Sequence, residues 1–585
     1  MRATEVACLA AALAACGRAL PDGEPLAASA ELAIVAHQDD DLLFMQPDLG
    51  DALARRDGVT TVYVTAGNGK KGVAQAEKRY AGLREAYARL AGVDPAAWRC
   101  GWIELAGRAA EHCRHAAAGM SLVFLGYPDG GKDGELPDSL LRLWNGAIAR
   151  ADAVARRTAT YDRAALIETV AGVIRAVKPR RIRTLEVAST HGRDHSDHML
   201  VGALAVLAAA AADHDAELVA YRGYANDTEP ANAAPGPFER SARALRHYAA
   251  CADGCAPCGE ACASLSVQHD AWLQRRYAIG MLRARTGTLQ LGARCLAAAA
   301  GGGVAFAPCT AAPAWTLAAG ALAASTGGCL EVQPSGELRT TACRRAPSQW
   351  FALDDEGHVW SGVPPAAEAD LSYAHLGCLA DAGGRPRVVL CGAVRGAPAW
   401  MMLRPLETRA GPAPGGPRVS DLSDLGACEI RDGRLACARA AGGAVEPVDA
   451  ADAPLAVAAS SLVFGDVDGD RRPDACGRTA AGILCATAAS GYRAAPWGYA
   501  FGGAVERMPG DPAAVALADE DGDGRADLCT LDGSAIACAR SLGTGFAPRR
   551  RVAQLPEGMA ATSLFADGAQ LCAADATQIA CTRSR

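Results

Sequence analysis

The residues with the clearest chemical potential form the segment Ala36-His37-Gln38-Asp39-Asp40-Asp41. The segment directly follows an apolar run that predicts a buried parallel strand. An imidazole and a carboxylate at a strand end can bind a divalent metal ion, and a neighbouring carboxylate can take a proton from water at that ion. The simpler interpretation is an acidic first turn of a helix, because aspartate favours helix N-termini.

A second polar cluster could supply the other half of such a site. Residues 191–198 read His-Gly-Arg-Asp-His-Ser-Asp-His, so that three of the 11 histidines of the chain fall within eight positions. This cluster also follows an apolar strand. Taken alone, it could be a solvated loop with chance histidines. Because ligands of open α/β sheets bind at the carboxyl ends of strands, the two clusters together predict one hydrolytic zinc site.

The elements that must position these clusters alternate between apolar strands and amphipathic helices. The predicted strands cover residues 33–36, 59–65, 121–125 and 182–187. The predicted helices begin at about Leu42 and cover residues 75–90 and 161–177. Such alternation predicts a doubly wound, Rossmann-like α/β catalytic domain, which we place at residues 30–285.

The two clusters resemble the motifs of the PIG-L/LmbE-like N-acetylglucosaminyl deacetylases. The first is similar to the AHPDD(E/D) motif of that family, and His195-Ser196-Asp197-His198 is similar to its HxDH motif. Weaker matches are Thr65-Ala66-Gly67, Tyr127-Pro128-Asp129-Gly130 and the strand that contains Ile182-Arg183-Thr184. The resemblance implies three zinc ligands, His37, Asp40 and His198.

The resemblance also implies catalytic roles. Asp39 is expected to be the general base, His195 either to stabilise the oxyanion or to protonate the departing amine, and Asp197 to orient His195. The physical logic is independent of the family, since three protein ligands leave room for water and a carbonyl oxygen on the metal. An alternative ligand pair is His191 with His195, which Gly192 disfavours because it opposes an early helix there.

Several positions depart from the family pattern or leave a choice open. Gln38 replaces the usual proline. Asp41 replaces the commoner glutamate, and we expect it to serve as a helix cap or as an outer partner of the site. The family has a substrate-contacting arginine on the second helix, and either Arg79 or Arg84 could match it. Asp129 is a candidate pocket residue. The alternative for the two arginines is a structural position on a surface helix face, and the alternative for Asp129 is a structural position in a turn.

The cysteine content and the N-terminus predict an exported protein. The chain has 22 cysteines with local spacings, which is typical of disulfides in an oxidising compartment. Residues 1–16 read as a signal peptide whose end, Leu13-Ala14-Ala15-Cys16-Gly17, resembles a lipobox. A lipid anchor at Cys16 would make the chain an outer-membrane lipoprotein, whereas an ordinary signal would leave it periplasmic or extracellular.

The rear half begins with a threefold repeat that we place at residues 286–405. Each copy has two cysteines followed by a tryptophan, at Trp315, Trp350 and Trp400, and the expected disulfides are Cys295–Cys309, Cys329–Cys343 and Cys378–Cys391. The repeat resembles a ricin B-type β-trefoil, which implies possible glycan binding. Its Q-x-W signature is eroded, so we expect the tryptophans to pack in the core.

A fourfold repeat follows at residues 418–585. Each copy has two cysteines nine positions apart, which suits opposite positions across a β-hairpin, and the expected disulfides are Cys428–Cys437, Cys476–Cys485, Cys529–Cys538 and Cys572–Cys581. The repeat resembles the FG-GAP/VCBS type, which implies an all-β, propeller-like domain. The linker near residues 409–417 is rich in glycine and proline and marks its start.

Two copies of the fourfold repeat contain acidic loops with the spacing D-x-D-G-D-x3-D. Alternate carboxylates at this spacing suit Ca²⁺, although an EF-hand would have glutamate where Gly477 and Thr530 stand. A solvated turn is the alternative. The expected calcium ligands are Asp466, Asp468, Asp470, Asp474, Asp519, Asp521, Asp523 and Asp527.

Two further cysteine groups lie in the front domain. Cys100 and Cys113 are expected to pair. Cys251, Cys255, Cys258 and Cys262 could form a metal knuckle, but two disulfides are the preferred interpretation in an exported protein.

The net charge of −7 and the absence of a Lys/Arg stripe in the sequence exclude nucleic acid as an expected partner. The sequence therefore predicts an exported zinc-dependent deacetylase of an N-acetyl amino sugar or its glycoconjugate. The alternatives are an inactive, adhesin-like carbohydrate-binding surface protein and a zinc amidase that acts on a non-sugar amide.

Overall fold

The fold was analysed in a computed structural model of the chain. The structure describes residues 19–187, 194–214, 216–229, 231, 233, 235–281, 284–299, 301–344, 346–362, 377–391, 399–411, 427–441, 444–447, 453–479, 482–488, 494–496, 514–543, 545–547, 549–567 and 570–582. The expected signal segment with Cys16 and the alternative ligand His191 lie outside these residues. The chain divides into two compact units, the first ending at Arg276 and the second beginning at Tyr277.

The first unit is an α/β domain, as the sequence predicts. Its helices are α1 (Asp40–Phe44), α2 (Asp48–Arg55), α3 (Val73–Ala91), α4 (Leu140–Trp144), α5 (Arg163–Val177), α6 (Ser196–Ala212), α7 (Pro235–Asp253) and α8 (Val267–Leu273). Its strands are β1 (Glu31–Val35), β2 (Val59–Thr65), β3 (Arg99–Leu105), β4 (Arg108–His115), β5 (Met120–Tyr127), β6 (Ala151–Asp152), β7 (Thr160–Tyr161), β8 (Arg181–Leu185) and β9 (Glu217–Tyr221).

The main sheet of this unit has a topological switch point beside β1. The strands lie in the order β9-β8-β1-β2-β5-β4-β3. β1 pairs in parallel with both β2 and β8, so the chain leaves β1 toward one side and later returns to its other side. In such sheets ligands bind beyond the carboxyl ends of the strands where the order reverses. The loops after β1 and β8 carry the two polar clusters to this crevice.

Burial explains why the central strands are so apolar. Every residue of β1, β2 and β5 is buried, which is typical of parallel strands covered on both faces by helices. Helix α5 begins at a side-chain cap, since Asp162 accepts a hydrogen bond of 2.7 Å from the backbone N–H of Ala165. Helix α6 is buried over most of its length and packs on α5.

An antiparallel hairpin at one edge of the sheet was not among the predicted elements. β3 and β4 pair with each other, and β4 adds to β5 in antiparallel orientation. Cys100 and Cys113 face each other in this hairpin and form the expected disulfide. The four clustered cysteines also form two disulfides and not a metal knuckle, with the pairs Cys251–Cys258 and Cys255–Cys262.

The second unit is all-β apart from short 3₁₀ turns among its described residues. Its strands are β10 (Ala278–Gly280), β11 (Ala284–Leu291), β12 (Arg294–Ala298), β13 (Val304–Pro308), β14 (Trp315–Ala318), β15 (Ala321–Ala324), β16 (Cys329–Val332), β17 (Leu338–Thr341), β18 (Phe351–Leu353), β19 (Val359–Ser361), β20 (Gly377–Ala382), β21 (Arg385–Leu390), β22 (Trp400–Leu403), β23 (Leu406–Ala410), β24 (Ala427–Arg431), β25 (Arg434–Ala441), β26 (Ala444–Pro447), β27 (Ala453–Pro454), β28 (Val463–Gly465), β29 (Asp474–Thr479), β30 (Gly482–Ala486), β31 (Ala494–Pro496), β32 (Val515–Ala518), β33 (Asp527–Asp532), β34 (Ala535–Ala539), β35 (Arg550–Gln554), β36 (Ser563–Asp567), β37 (Gln570–Ala574) and β38 (Gln578–Thr582).

The threefold repeat closes around one apolar core that draws on all three copies. Trp315 and Trp400 are buried in it, and their indole N–H groups donate to the carbonyl oxygens of Leu296 and Leu379 at 2.9 and 2.7 Å. These two tryptophans are therefore core residues, as predicted, whereas Trp350, which was also expected to pack in the core, is half-buried. The disulfides Cys295–Cys309 and Cys329–Cys343 are present, and Cys378 and Cys391 are also disulfide-bonded.

The fourfold repeat builds four small antiparallel sheets. In each sheet the two cysteines lie directly opposite each other across a hairpin and are disulfide-bonded, as their spacing predicts; the pairs are Cys428–Cys437, Cys476–Cys485, Cys529–Cys538 and Cys572–Cys581. The last sheet has the order β23-β38-β37-β36, so its outer strand comes from residues that precede the predicted start of the repeat at residue 418.

Within the described part of the chain, no helix combines the length and the apolar character needed to cross a bilayer.

Candidate metal centre

The loops after β1 and β8 bring both polar clusters to the switch point of the sheet. His37 follows β1, and Asp40 is the first residue of α1. His195 is the N-cap of α6, and His198 lies in the first turn of that helix. His37, Asp40 and His198 are all buried.

Three ligand atoms of these residues face one another. The Nδ1 of His37 lies 3.2 Å from the Nε2 of His198 and 3.6 Å from the Oδ1 of Asp40. The Nε2 of His198 lies 3.0 Å from the same carboxylate oxygen. Tetrahedral ligands at about 2.0–2.1 Å from a zinc ion lie about 3.3 Å apart, so the three atoms fit one such ion. Two imidazoles with one carboxylate are also a common donor set of catalytic zinc sites.

Two residues of this triad have partners for their remaining polar atoms. The Nδ1 of His198 lies 2.9 Å from the Oδ1 of Asp194, so this nitrogen bears a proton and the Nε2 is the atom that faces the triad. The Oδ2 of Asp40 accepts the backbone N–H of His37 at 2.7 Å. His198 and Asp40 are thus each held with one ligand atom turned inward, whereas the Nε2 of His37 is buried without a hydrogen-bond partner among the described residues.

The electrostatics of the triad favour positive charge. Burial alone would lower the pKa of His198. The carboxylates of Asp40 and Asp194 face the ring, however, and raise this pKa to about 10. Burial alone would raise the pKa of Asp40. The adjacent rings of His198 and His37 nevertheless hold this pKa far below its usual range. A buried site that stabilises positive charge so strongly suits a cation.

His195 presents a different chemistry from the two histidines of the triad. Its Nδ1 accepts the backbone N–H of Asp197 at 3.1 Å, which leaves the proton on Nε2. Burial and the adjacent His37 lower the pKa of His195 to about 4, so the ring is neutral at pH 7. A neutral imidazole that bears its proton on Nε2 can donate a hydrogen bond but is a poor acid.

A second group of potential ligands shares His37 with the triad and adds Asp129, His195 and Asp197. Backbone donors occupy both oxygens of Asp129 and one oxygen of Asp197, while the Oδ1 of Asp197 has no hydrogen-bond partner among the described residues. Asp197 accepts the N–H of Gly130 at 2.9 Å, and Asp129 accepts the N–H groups of Gly131 and Gly69 at 2.9 and 3.3 Å. With His195 also accepting a backbone N–H, this group is the weaker candidate for a metal. Asp197 contacts His37 at 3.4 Å, and the structure gives it no side-chain hydrogen bond to His195 among the described residues.

Asp39 lies at the edge of the site and is partly exposed. Its Oδ1 is 3.7 Å from the Nη1 of Arg79, which projects from α3. Arg84 is five positions further along that helix and therefore about 140° around its axis. It lies near Cys113, whose Sγ is 3.9 Å from its Nη1. Of the two candidate arginines, only Arg79 reaches the metal-site cluster.

The two positions that depart from the family motif have structural contacts. Gln38 is buried, and its side-chain amide donates to the backbone carbonyl of Thr65 at 2.6 Å. Asp41 is also buried and accepts the hydroxyl hydrogens of Tyr63 and Tyr87 at 2.9 and 2.5 Å. Neither side chain belongs to the triad, so Asp41 acts as an outer partner that anchors the start of α1.

Asp194 is a site residue that the sequence analysis did not single out. Besides His198, its carboxylate accepts the backbone N–H groups of His195 and Tyr224 at 2.8 and 3.1 Å. Gly223 makes this approach possible, since a Cβ there would lie 2.3 Å from the Oδ2 of Asp194 and 2.8 Å from the Nδ1 of His198. The sequence carried one signal for this role, because Asp194 stands four positions before His198 in the second polar cluster.

The acidic loops of the rear unit bring together three of the four aspartates in each case. Asp466, Asp468 and Asp474 form one group of potential ligands, and Asp519, Asp521 and Asp527 form the other. The remaining two, Asp470 and Asp523, are not part of these groups. Asp523 instead pairs with the guanidinium of Arg525. Burial, together with the like charge of nearby aspartates, raises the pKa of Asp474 to about 7.

The region that contains the metal centre matches a known protein family. Residues 32–209 match the PIG-L family, described as GlcNAc-PI de-N-acetylase. No curated protein matches the chain. The matched region contains β1, β8, the triad and His195.

Among solved structures, the conserved protein TT1542 from Thermus thermophilus is 19% identical, with a TM-score of 0.22, over 38% of this chain and 78% of that chain. A Tc holotoxin pore structure from Photorhabdus luminescens is 14% identical, with a TM-score of 0.23, over 52% of this chain and 15% of that chain. A TcdB2–TccC3 crystal structure is 16% identical over the same shares, with a TM-score of 0.19. These TM-scores are too low to support any inference.

The family match and the buried histidine–aspartate triad concern the same residues of the same α/β fold. Over residues 32–209, the front domain of this chain is therefore similar to the PIG-L family.

Proposed function

We propose that the front domain is a zinc-dependent deacetylase that hydrolyses the acetamide of an N-acetylated amino sugar or its glycoconjugate. The observation that supports this most directly is the convergence of His37, Asp40 and His198 on one point with ligand atoms 3.0–3.6 Å apart. The family description, which names removal of an N-acetyl group from a glucosamine derivative, supports the reaction type. His37, Asp40 and His198 would hold the ion.

Zinc bound there would lower the pKa of a water and polarise the acyl carbonyl. The protein supplies the proton transfers. Asp39 is partly exposed beside the triad, and we assign it to accept the proton of the attacking water. The ion pair with Arg79 holds the Asp39 carboxylate in place. The proton taken up by Asp39 is then available to the departing amine, which leaves poorly as an anion.

His195 is assigned to stabilise the acyl oxygen as negative charge develops on it. The hydrogen bond to its Nδ1 and its pKa of about 4 support a neutral Nε2–H donor over a protonated acid. Of the two roles left open by the sequence, oxyanion stabilisation is therefore preferred. Asp197 supports His195 through its backbone N–H, and its carboxylate lies against His37.

Arg79 and Asp129 are proposed as substrate contacts. Arg79 reaches Asp39, and Asp129 belongs to the group of polar side chains around His37. Because both also contact protein groups, their contribution to substrate binding is expected to be moderate. Arg84 is not proposed for this role, since it lies near Cys113.

The experiment that tests the function measures acetate released from N-acetylglucosamine oligosaccharides by the full chain. We expect release with zinc, loss after treatment with a chelator, and recovery when zinc is restored. A non-sugar acetamide serves as the comparison substrate and separates the proposed reaction from that of a general zinc amidase. Binding of the oligosaccharides without any acetate release would instead support the adhesin-like alternative.

The acidic loops are proposed to bind calcium in the rear unit. Three carboxylates converge in each loop, and their glycines allow the tight turns that the spacing requires. The loop with Asp466 is the stronger of the two, because in the other the guanidinium of Arg540 already lies 3.7 Å from Asp521, one of the three converging aspartates. Calcium would there have to compete with this guanidinium group.

We further propose the domain layout and the location that the sequence predicts. The trefoil would cover residues 286–405 and the propeller-like domain residues 418–585, with a glycan as the possible partner of the trefoil. The many disulfides support an exported protein. A lipid anchor at Cys16 remains part of this proposal and can be tested by mass spectrometry of the mature N-terminus.

A further inference from the structure

A wall of aromatic rings extends from the metal centre to the surface of the front domain. The ring of Tyr224 lies 4.8 Å from that of His198 and 6.2 Å from that of His195, in edge-on orientation. Tyr224 in turn stacks on Trp272, with centroids 4.5 Å apart and planes inclined by 11°. Phe44 is buried and backs the wall, with its ring 5.9 Å from Tyr224 and 5.7 Å from Trp272.

The two outer rings are only half-buried and carry polar groups without partners. The hydroxyl of Tyr224 makes no hydrogen bond among the described residues. The indole Nε1 of Trp272 is buried and likewise has no hydrogen-bond partner there. Tyr O–H and Trp N–H groups usually find a partner when they are buried. The partly exposed rings of Tyr224 and Trp272 and the tyrosine hydroxyl are the part of this wall that a ligand can reach, whereas the indole Nε1 is shielded from it.

The wall is held in a fixed position relative to the metal centre. The backbone N–H of Tyr224 donates to Asp194, the same carboxylate that orients His198. Trp272 lies on α8, which begins at a side-chain cap where Ser266 accepts the N–H of His269 at 3.1 Å. The rings are therefore placed by defined hydrogen bonds and not by an irregular loop alone.

Tyr224 and Trp272 also lie outside the part of the chain that matches the family, which ends at residue 209. The metal ligands belong to the family region, whereas the wall is contributed by the segment that follows. The metal ligands and the aromatic wall thus come from different parts of the front domain.

We propose that Tyr224 and Trp272 form a carbohydrate subsite that takes a pyranose ring of the substrate next to the reacting acetamide. One face of a pyranose presents C–H groups, which pack on the electron-rich face of an aromatic ring, while one of its hydroxyls meets the tyrosine O–H. This inference rests on the proposed deacetylase function and narrows its substrate to a sugar, preferably an oligosaccharide, over a simple amide.

The test compares Trp272→Leu and Tyr224→Phe with the wild-type chain. The substrates are the N-acetylglucosamine trimer and a small non-sugar acetamide, both with zinc present. Trp272→Leu is expected to raise KM for the trimer about tenfold or more, with kcat and zinc content nearly unchanged. Tyr224→Phe keeps the ring and removes the hydroxyl, and is expected to raise KM severalfold. Neither variant should alter kcat/KM for the small acetamide.

A matched control is Trp102→Leu, which removes a half-buried tryptophan of β3 that packs under Arg157. It should leave KM for the trimer unchanged. Wild-type KM values in both Trp272→Leu and Tyr224→Phe would overturn the subsite. An equal loss on both substrates would also overturn it, because that result indicates general damage to the site.

Direct binding keeps the subsite testable if no deacetylation is found. Calorimetric titration of the wild-type chain with the same trimer should show binding that Trp272→Leu weakens about tenfold and Trp102→Leu does not. Binding without acetate release would contradict the proposed reaction and still support the subsite. Absence of binding by the wild-type chain would overturn the subsite whatever the activity.

Discussion

The Nδ1 of His198 lies 2.9 Å from the Oδ1 of Asp194, and this contact decides which nitrogen of the ring faces the metal triad. A histidine can bind a metal through either nitrogen, so the partner of the other nitrogen fixes its tautomer and its orientation. Asp194 also accepts the backbone N–H of Tyr224. One carboxylate thus couples the metal centre to the aromatic wall.

Replacing Asp194 with alanine is expected to weaken zinc binding by about 10- to 100-fold, because His198 loses the partner that fixes its lone pair. Competition with a chromophoric chelator measures this directly, without any activity assay. Asp194→Asn can still accept the N–H of His198 and the two backbone N–H groups. It should therefore lose less affinity than Asp194→Ala, and equal affinities in all three proteins would contradict the assigned role.

His37→Ala and Asp39→Asn should separate metal binding from proton transfer. The first removes a ligand of the triad and is expected to abolish stoichiometric zinc. The second leaves the triad intact and should retain zinc while turnover falls by about 100-fold or more, since general-base catalysis contributes about 10²–10⁴. Zinc content by atomic spectroscopy and acetate release test the two effects. An Asp39→Asn protein with normal turnover would remove Asp39 from the mechanism.

A buried histidine of the edge hairpin predicts acid sensitivity of the front domain. Burial and the nearby Arg114 lower the pKa of His112 to about 4, against about 6.5 in an unfolded chain. Between these values the unfolded chain binds a proton that the folded chain does not, so folding is favoured above pH 6.5 and loses stability as the pH falls toward 4. Between pH 7.5 and pH 4.5, the titration of His112 is expected to lower the free energy of unfolding by about 2–3 kcal/mol.

Urea unfolding of the wild-type chain and of His112→Gln at both pH values measures that difference. The variant should lose less stability than the wild type over this range, because glutamine does not titrate. Other groups contribute equally to both proteins. An identical pH dependence in the two chains would show that His112 does not carry the effect.

Calcium is expected to raise the thermal stability of the rear unit. A ligand at 100 times its Kd stabilises the folded state by about 2.7 kcal/mol per site. Asp474→Asn removes a buried carboxylate of the first acidic loop and should abolish most of the calcium-dependent shift in Tm. Asp532→Asn, which removes a carboxylate that pairs with Arg551 at the surface, is the control. A shift that survives Asp474→Asn would place the calcium elsewhere.

Much of the front domain could be predicted because its signals are local. Apolar runs followed by polar clusters predict parallel strands with a site at their ends, and the structure has β1 and β8 side by side with His37 and His198 facing each other. The edge hairpin of β3 and β4 was not predicted from its pattern. Its only signal was the spacing of Cys100 and Cys113, since half-exposed strands with mixed polarity resemble loops.

The contacts that depend on three-dimensional packing could not be predicted. The choice between Arg79 and Arg84 needed the rotational position of α3 relative to the sheet, which the sequence does not specify. Tyr224 and Trp272 are far apart in sequence and follow no motif, so only the fold shows that their rings stack. The cysteine pairs of the fourfold repeat were predictable, because nine positions across a hairpin bring the two ends opposite each other.

The pairing of β23 with β38 has a consequence for how the rear unit can form. The strand Leu406–Ala410 pairs with Gln578–Thr582, a partner that lies far along the chain. Such a long-range contact raises the contact order and slows folding. A chain that lacked β37 and β38 would leave β23 as an open edge, which is a template for aggregation. The β23–β38 pairing thus makes the presence of Gln578–Thr582 a condition for covering that edge.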